Sequence, residues 1–293
     1  MDSTTEQVGL VRDFNRYYTR RIGLLTDHYL GQNRPLGEAR LLFEIGDQAD
    51  VRDLRTRLGL DSGYLSRLLR SLTAQNLVRV RPHPHDRRVR VVELTDAGTR
   101  ERAELDRRSD TGVTDLLARL TPTQRQRLIT AQAQIHRLLR LATVSITPTQ
   151  PHGTPARDCL RAYADELARR FPEGYDPTTL VTPDDLDGDN GALLLAREEN
   201  RPVGCGAWRA LGDGAAEIRH LWVDQAARGL GIGRLLLRHL ETHAAEHGTT
   251  VVRLGTHTAL TEAIALYQSS GYHPIPPYDN SPYNHLGFEK PLT

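Results

Sequence analysis

Between residues 216 and 247 the chain passes from an alternating segment, AEIRHLWV, through Arg228-Gly229-Leu230-Gly231-Ile232-Gly233-Arg234 and straight into a strongly amphipathic helical segment. Glycines at every second position ahead of a helix let successive backbone N–H groups converge at its N-terminus. The helix dipole adds positive potential there, so such a turn forms a phosphate cradle. Glycine also lets a ligand approach the backbone closely, and Arg228 and Arg234 bring charge suited to a pyrophosphate. The spacing departs from a dinucleotide-binding G-x-G-x-x-G, and the acidic residue that should follow the next strand is missing. The Gly-Lys-Ser/Thr of a Walker A loop is absent as well.

The flanks of this turn alternate strands with helices. A helix is expected over Arg157–Arg170, strands over Ala192–Arg197, Val203–Leu211 and Ala216–Val223, and a helix from Gly231 to His247. A strand over Thr250–Thr256, a helix over Leu260–Ser270 and a strand over Leu286–Lys290 follow. That order implies an α/β domain with a mixed sheet. The first half differs. Apolar residues at helical spacing run from Val8 to Leu30, and short helices are expected over Gly37–Ile45, Asp50–Leu58 (closed by Gly59) and from Asp61 or Ser62 to Asn76. VRVRPHPHDRRVRVVEL alternates with period two around a turn and reads as a hairpin. Two longer helices, capped at Thr95 or Asp96 and started by Thr121-Pro122, reach about Leu120 and Leu141. Three prolines and a glycine in ITPTQPHGTP break the pattern, with Ile146 and its neighbours also fit for a short strand. The expected division is 1–141, mainly α, and 142–293, α/β; 293 residues suffice for two cores.

Charge separates the halves too. Residues 1–140 hold 25 Arg and no Lys against 18 Asp and Glu, whereas residues 141–293 hold 12 Arg and 1 Lys against 19 acids. Residues 51–90 alone carry ten Arg against three Asp, a concentration that suits a polyanionic partner. Cys159 and Cys205 are too few for a disulfide scaffold and lack metal-ligand spacing. His152, His243 and His247 are expected at the solvent, and no metal site is expected. No apolar run is long enough to span a membrane, and the polar, acidic start does not read as a signal peptide, so a cytoplasmic protein is expected.

Within that Arg-rich window, Asp50–Leu58, a Gly59-Leu60 turn and the next helix form a helix-turn-helix pattern. Leu54, Leu58, Leu65, Leu68, Leu69 and Leu72 make its core face. Ser62, Gly63, Ser66, Arg67 and Arg70 make the other. Small polar residues at the helix start let it sit deep in a major groove, where Arg67 can reach a guanine edge. Arg70 and Arg55 suit phosphates, and Arg87, Arg88 and Arg90 around the hairpin turn suit a minor groove. LDSGYLSRLLRSLTAQNLV with DRRVRVVELTDAG resembles the winged helix-turn-helix of the MarR family of transcriptional regulators, through Asp86-x-Arg88 and Leu94-Thr95-x-x-Gly98 over about residues 8–140. Asn76 stands where that family usually has Gly, and Asn tolerates the left-handed turn. The resemblance implies duplex-DNA binding by a homodimer whose first and last helices form the interface, at inverted half-sites about one helical turn apart.

Arg228-x-x-Gly231-x-Gly233, followed after the next strand by AIALYQSSGYHPI, resembles the acetyl-coenzyme A signature of the GNAT N-acetyltransferases over about residues 143–293. The resemblance implies acetyl-CoA as cosubstrate, held by Leu221, Trp222 and Val223 on a splayed strand and by Arg228, Gly229, Leu230, Gly231, Ile232, Gly233 and Arg234. It implies Tyr267 as the acid that protonates the leaving thiolate. Glu217 is the candidate base, with a salt bridge or a substrate anchor as the alternative. FPEGYDP (171–177) and Tyr278, Asp279, Asn280, Tyr283, Asn284 and His285 are candidates for holding a small primary amine. Together these features describe a DNA-binding regulator fused to an acetyltransferase. A repressor whose second domain only senses acetyl-CoA or an amine, and an enzyme that keeps the winged helix for dimerisation, are the alternatives.

Overall fold

The structure, a computed structural model, describes residues 3–22, 34–83, 86, 89–179, 186 and 190–292. It divides into two compact units, Met1–Leu128 and Ile129–Thr293. No described helix is long and apolar enough to cross a membrane.

In the first unit, helices α1 (Ser3–Arg21) and α2 (Leu36–Ile45) precede a short strand β1 (Gln48–Asp50). Helices α3 (Val51–Leu58) and α4 (Ser62–Ala74), strands β2 (Val78–Pro82) and β3 (Arg90–Leu94), and α5 (Asp96–Ala118) follow. Helix α1 starts five residues before its apolar stripe, because polar residues with Glu6 in the first turn extend it toward the N-terminus. The part of the expected helix over 23–30 lies outside the described residues. The three strands form one antiparallel sheet, β1-β3-β2.

The ends of α3, α4 and α5 have local causes. Asp50 caps α3 by accepting the N–H groups of Arg52 and Asp53, and Gly59 closes it at φ +61°. Asp61 caps α4 through the Tyr64 N–H. Thr95 Oγ1 accepts the Gly98 N–H at 3.0 Å and donates to the Asn76 carbonyl at 2.6 Å, with Asn76 left-handed at φ +57°. A Cβ at Gly98 would lie 1.9 Å from the Leu77 carbonyl oxygen, so only glycine fits. Leu41, Leu42, Leu54, Leu65, Leu72 and Leu105 pack the core.

Helix α6 (Pro122–Ala142) crosses the division between the units, and its last turn is built into the second. Arg140 donates twice to Glu198, at 2.6 and 2.7 Å, and Leu141 packs on the second core. Strand β4 (Val144–Thr149), helix α7 (Thr154–Arg170), strands β5 (Gly191–Glu198), β6 (Arg201–Gly212) and β7 (Ala215–Val223), helix α8 (Ile232–Glu246), strand β8 (Val251–Thr256), helix α9 (Thr261–Gln268) and strands β9 (His273–Ile275) and β10 (Leu286–Pro291) follow. They form a seven-stranded sheet, β4-β5-β6-β7-β8-β10-β9, in which only β7 and β8 are parallel. Alternate residues of β5 serve the two faces: Leu194 and Ala196 join the α8 core, while Leu193 and Leu195 join Cys159 of α7. The result is a mainly helical winged helix-turn-helix unit followed by an α/β unit with a mixed sheet.

Candidate functional site

Strands β7 and β8 pair only from Ala215↔Val251 to Glu217↔Arg253. Past Glu217 they part, and a cleft of about 580 Å³ opens between α7, the glycine turn and α9. Leu221, Trp222, Val223, Arg228, Gly229, Gly231, Ile232, Gly233 and Arg234 all line it. Leu230 does not. Its side chain, 8% exposed, is packed into the core beneath the turn. Anchoring Leu230 and Ile232 inward leaves the glycines at the cleft wall, with Gly229 at φ +74° and Gly231, the N-cap of α8, at φ +97°.

The two arginines of the turn are engaged. Arg228 Nε donates to the Val223 carbonyl at 2.9 Å and its guanidinium pairs with Glu166. Arg234 donates to the Ser269 carbonyl at 3.0 Å and to Ser269 Oγ at 2.7 Å, at the end of α9. Glu166 also accepts Trp222 Nε1–H at 2.9 Å and Arg170 at 3.4 Å. Among the causes acting on its carboxyl burial is the largest and opposes ionisation, but these donors outweigh it and hold the pKa below the usual range.

A second pocket, about 80 Å³, adjoins the cleft, sharing Tyr163, Leu167 and Leu221 with it. Tyr267 lines this pocket, is 6% exposed, and its hydroxyl is pushed well above the ordinary tyrosine range by burial. Glu217, 1% exposed, accepts Arg209 Nε at 2.8 Å on one oxygen and Tyr278 Oη–H at 3.0 Å on the other, with Arg219 at 3.8 Å.

His220 also lines the pocket, a residue the alternating pattern did not single out. Ala207 pairs with Arg219 but Cys205 with Trp222, so two residues of β7 oppose one of β6. This bulge places His220 at φ +55° with its ring 5.5 Å from that of Tyr163. Burial first, then Arg219 and Arg209, press its pKa down to about 3, so the imidazole is neutral.

The remaining wall comes from distant segments. Phe171, Tyr175, Tyr283 and Asn284 line the pocket, whereas Asp279 turns to Asn284 Nδ2 at 2.6 Å. His257 is 4% exposed; its Nδ1 accepts the Ala259 N–H and its Nε2 lies 2.9 Å from Glu173. Glu173, His257 and His285 gather within 4.8 Å. The Ala259 contact, however, fixes the proton on Nε2, so His257 offers a donor rather than a lone pair to the group, and the set does not suit a metal. His243, expected at the solvent, is half-buried because its Nδ1 accepts the indole N–H of the buried Trp208 at 3.0 Å.

In the first unit Ser62, Gly63, Ser66, Arg67 and Arg70 are all exposed on α4, opposite the buried Leu65, Leu68, Leu69 and Leu72. The Arg67 guanidinium lies 5.7 Å above the exposed Tyr64 ring, a contact not anticipated from the sequence. Arg55 is exposed on α3. Arg87 and Arg88, expected at the hairpin tip, lie outside the described residues.

Residues 159–272 match the acetyltransferase (GNAT) family, and residues 32–89 match the MarR family. The chain joins a MarR-family segment to a GNAT-family segment. An uncharacterized HTH-type transcriptional regulator of Bacillus subtilis, YdgJ, is 29% identical over 115 residues, which cover 39% of this chain and 70% of that protein. A GNAT-family acetyltransferase of Staphylococcus aureus is 16% identical with a TM-score of 0.44, covering 51% of this chain and 99% of its own. A GNAT-family acetyltransferase of Elizabethkingia anophelis, solved with acetyl-CoA bound, is 22% identical with a TM-score of 0.39 over the same shares. The GNAT match runs from Cys159 on α7 to Tyr272 and so takes in the glycine turn, Glu217 and Tyr267. The MarR match takes in α2 to α4 and β2.

Proposed function

We propose that this protein is a regulator that binds duplex DNA through residues 1–141 and an N-acetyltransferase that moves an acetyl group from acetyl-CoA to a small primary amine through residues 142–293. The observation that carries the enzymatic half is the meeting of the cleft and the Tyr267 pocket at Leu221, where β7 has left β8. The glycine turn fits a pyrophosphate by its backbone, with Gly229 and Gly231 both left-handed at the cleft wall. Leu221, Trp222 and Val223 offer an unpaired strand edge to the pantetheine arm. Arg228, Gly229, Gly231, Ile232, Gly233 and Arg234 surround the phosphates.

In the transfer, the amine nitrogen gains the acetyl group and gives up a proton. The thioester C–S bond breaks, and the sulfur takes a proton from Tyr267. Arg209 and Tyr278 each donate to one oxygen of Glu217, which favours its role as a fixed charge that shapes the pocket over that of the base, and water carries the proton from the amine. Ser62, Gly63, Ser66 and Arg67 of α4 enter the major groove, Arg70 meets phosphate, and Arg87 and Arg88 form the wing contact. The exposed Leu10, Val11, Phe14 and Tyr17 of α1, with Val113 of α5 and Leu138 and Leu139 of α6, support a homodimer.

Thiol release from acetyl-CoA in the presence of a panel of amines tests the enzyme, with Gly231→Ala, strained at a left-handed position, as the variant that loses cofactor binding. Retardation of upstream genomic fragments by the full chain at low salt tests the regulator. Binding of acetyl-CoA with no acceptor ever modified returns the domain to a sensor, and no retarded fragment removes the DNA-binding half.

A further inference from the structure

The Tyr267 pocket supports a narrower statement about its ligand, which rests on the assignment of that pocket as the acceptor site. Its space of about 80 Å³ holds on the order of half a dozen water-sized groups at roughly 10–15 Å³ each, which suits one ring-sized part of an amine whose remaining atoms extend toward the cleft at Leu221. Among its described lining residues the only carboxylate is Glu217, whose two oxygens are held by Arg209 and Tyr278, and the other charged side chain is Arg219. A second ammonium on the acceptor would have to share the one carboxylate with Arg209 and Tyr278 and sit beside the Arg219 guanidinium, an arrangement that burial makes costly. Tyr163, Phe171, Tyr175 and Tyr283 form an aromatic side of the wall, and Thr256, Ser281 and Asn284 add neutral polar groups on the other.

One chain of contacts holds that wall. The His257 ring stacks on Phe171 at 4.0 Å, Phe171 stacks on Tyr283 at 5.7 Å, and Tyr175 lies 4.8 Å from Tyr283. The Asp176 N–H donates to Tyr283 Oη at 2.9 Å. With Nδ1 committed to the Ala259 N–H, His257 Nε2–H donates to Glu173, two residues beyond Phe171 on the same loop. Three segments far apart in sequence, after α7, after β8 and before β10, are thereby fixed around one imidazole.

We infer that the acceptor is a small monoamine with a flat apolar body, of the arylalkylamine type, and that His257 with Glu173 is the positioning pair that keeps the aromatic wall in place. The full-length protein, acetyl-CoA and a thiol-release assay test this with 2-phenylethylamine, spermidine and a lysine-containing peptide. The aromatic monoamine is expected to exceed the other two at least tenfold in kcat/KM. His257→Ala is expected to raise KM for 2-phenylethylamine at least tenfold while the Kd for acetyl-CoA stays put. His257→Gln, which returns an N–H near the Nε2 position, recovers most of the loss. If His257→Ala does not fold by circular dichroism, Glu173→Gln replaces it with the same expected rise in KM.

Equal or better use of spermidine or the peptide overturns the ligand class, and an unmoved KM in a folded variant overturns the positioning role. Turnover of those other amines alone leaves the acetyltransferase assignment standing and removes only this inference. If acetyl-CoA does not bind, the two fall together. If acetyl-CoA binds but no amine reacts, line broadening of 2-phenylethylamine by the protein in NMR decides. Its absence overturns the inference, and its presence in the wild type and loss in His257→Ala supports it.

Discussion

Arg209 and Glu217 are registered cross-strand neighbours on β6 and β7, with Arg209 Nε 2.8 Å from Glu217 Oε2. Tyr278 donates to the other oxygen, so the carboxylate is held by one donor on each side. Glu217→Gln is therefore expected to lower stability by about 1–3 kcal/mol, the scale of a lost charged hydrogen bond. It should leave the acid limb of the rate profile where it is. Thermal unfolding and a pH–rate series measure the two effects separately, and loss of the acid limb would restore Glu217 as the base.

His220 makes stability depend on pH. Its folded value of about 3 lies below the 6.5 of the free imidazole, so between those limits the unfolded chain binds one proton more than the folded one. Stability contributed this way is present above pH 6.5 and is lost as the pH falls toward 3. Tyr163 packs beside the ring, and the charges of Arg219 and Arg209 oppose its protonation. From about pH 7 to 5.5 the wild type should lose about 1 kcal/mol that His220→Asn, compatible with the left-handed backbone, does not lose. Paired urea titrations at the two pH values report the difference.

Tyr267→Phe keeps the ring against Tyr272 and Phe288, 5.9 and 6.1 Å away, and removes only the hydroxyl. Under the proposed mechanism kcat falls by about 10²–10⁴, while calorimetric affinity for acetyl-CoA is unchanged. An unaltered single-turnover rate would end the assignment of Tyr267 as the acid.

Gly98→Ala forces a methyl into the Leu77 carbonyl oxygen, 1.9 Å from the ideal Cβ. The backbone has to move, and that overpacking is expected to cost about 1–3 kcal/mol or more. Differential scanning calorimetry should show the first unit's transition lowered and the second's unchanged.

Arg67→Ala and Arg70→Ala should differ in kind. The first is expected to relax base preference at one position. The second should weaken all sequences alike and reduce the dependence of log K on log salt by about one. Binding to randomised duplexes at several salt concentrations separates them.

Features encoded within a few residues were legible in the sequence. Asp61, Gly59 and Thr95 end or cap helices through neighbours three or four positions away, and the glycine turn announces its own backbone. Strands β1 and β9, three residues each, are too short to display a period and exist through pairing with β3 and β10. The bulge at His220 was hidden for a different reason: one extra residue in AEIRHLWV changes which face every later side chain takes, and only the register with β6 shows it. Glu166 and the His257–Glu173 contact depend on partners 56 to 84 positions away, which no local pattern records.

The parting of β7 from β8 also bears on how the chain avoids misassociation. An unpaired strand edge ordinarily recruits a strand from another molecule. The free edge of Leu221–Val223 faces into a cleft walled by Tyr163 and Glu166 on one side and Ala263 and Leu266 on the other. A second polypeptide strand, with side chains on both faces, meets those walls before it meets the edge. A slender unbranched molecule does not. The same recess that admits such a molecule, with Arg228 seated on the Val223 carbonyl at its end, lets the fold keep a permanently incomplete sheet without the proline-bearing guards that an outward edge requires.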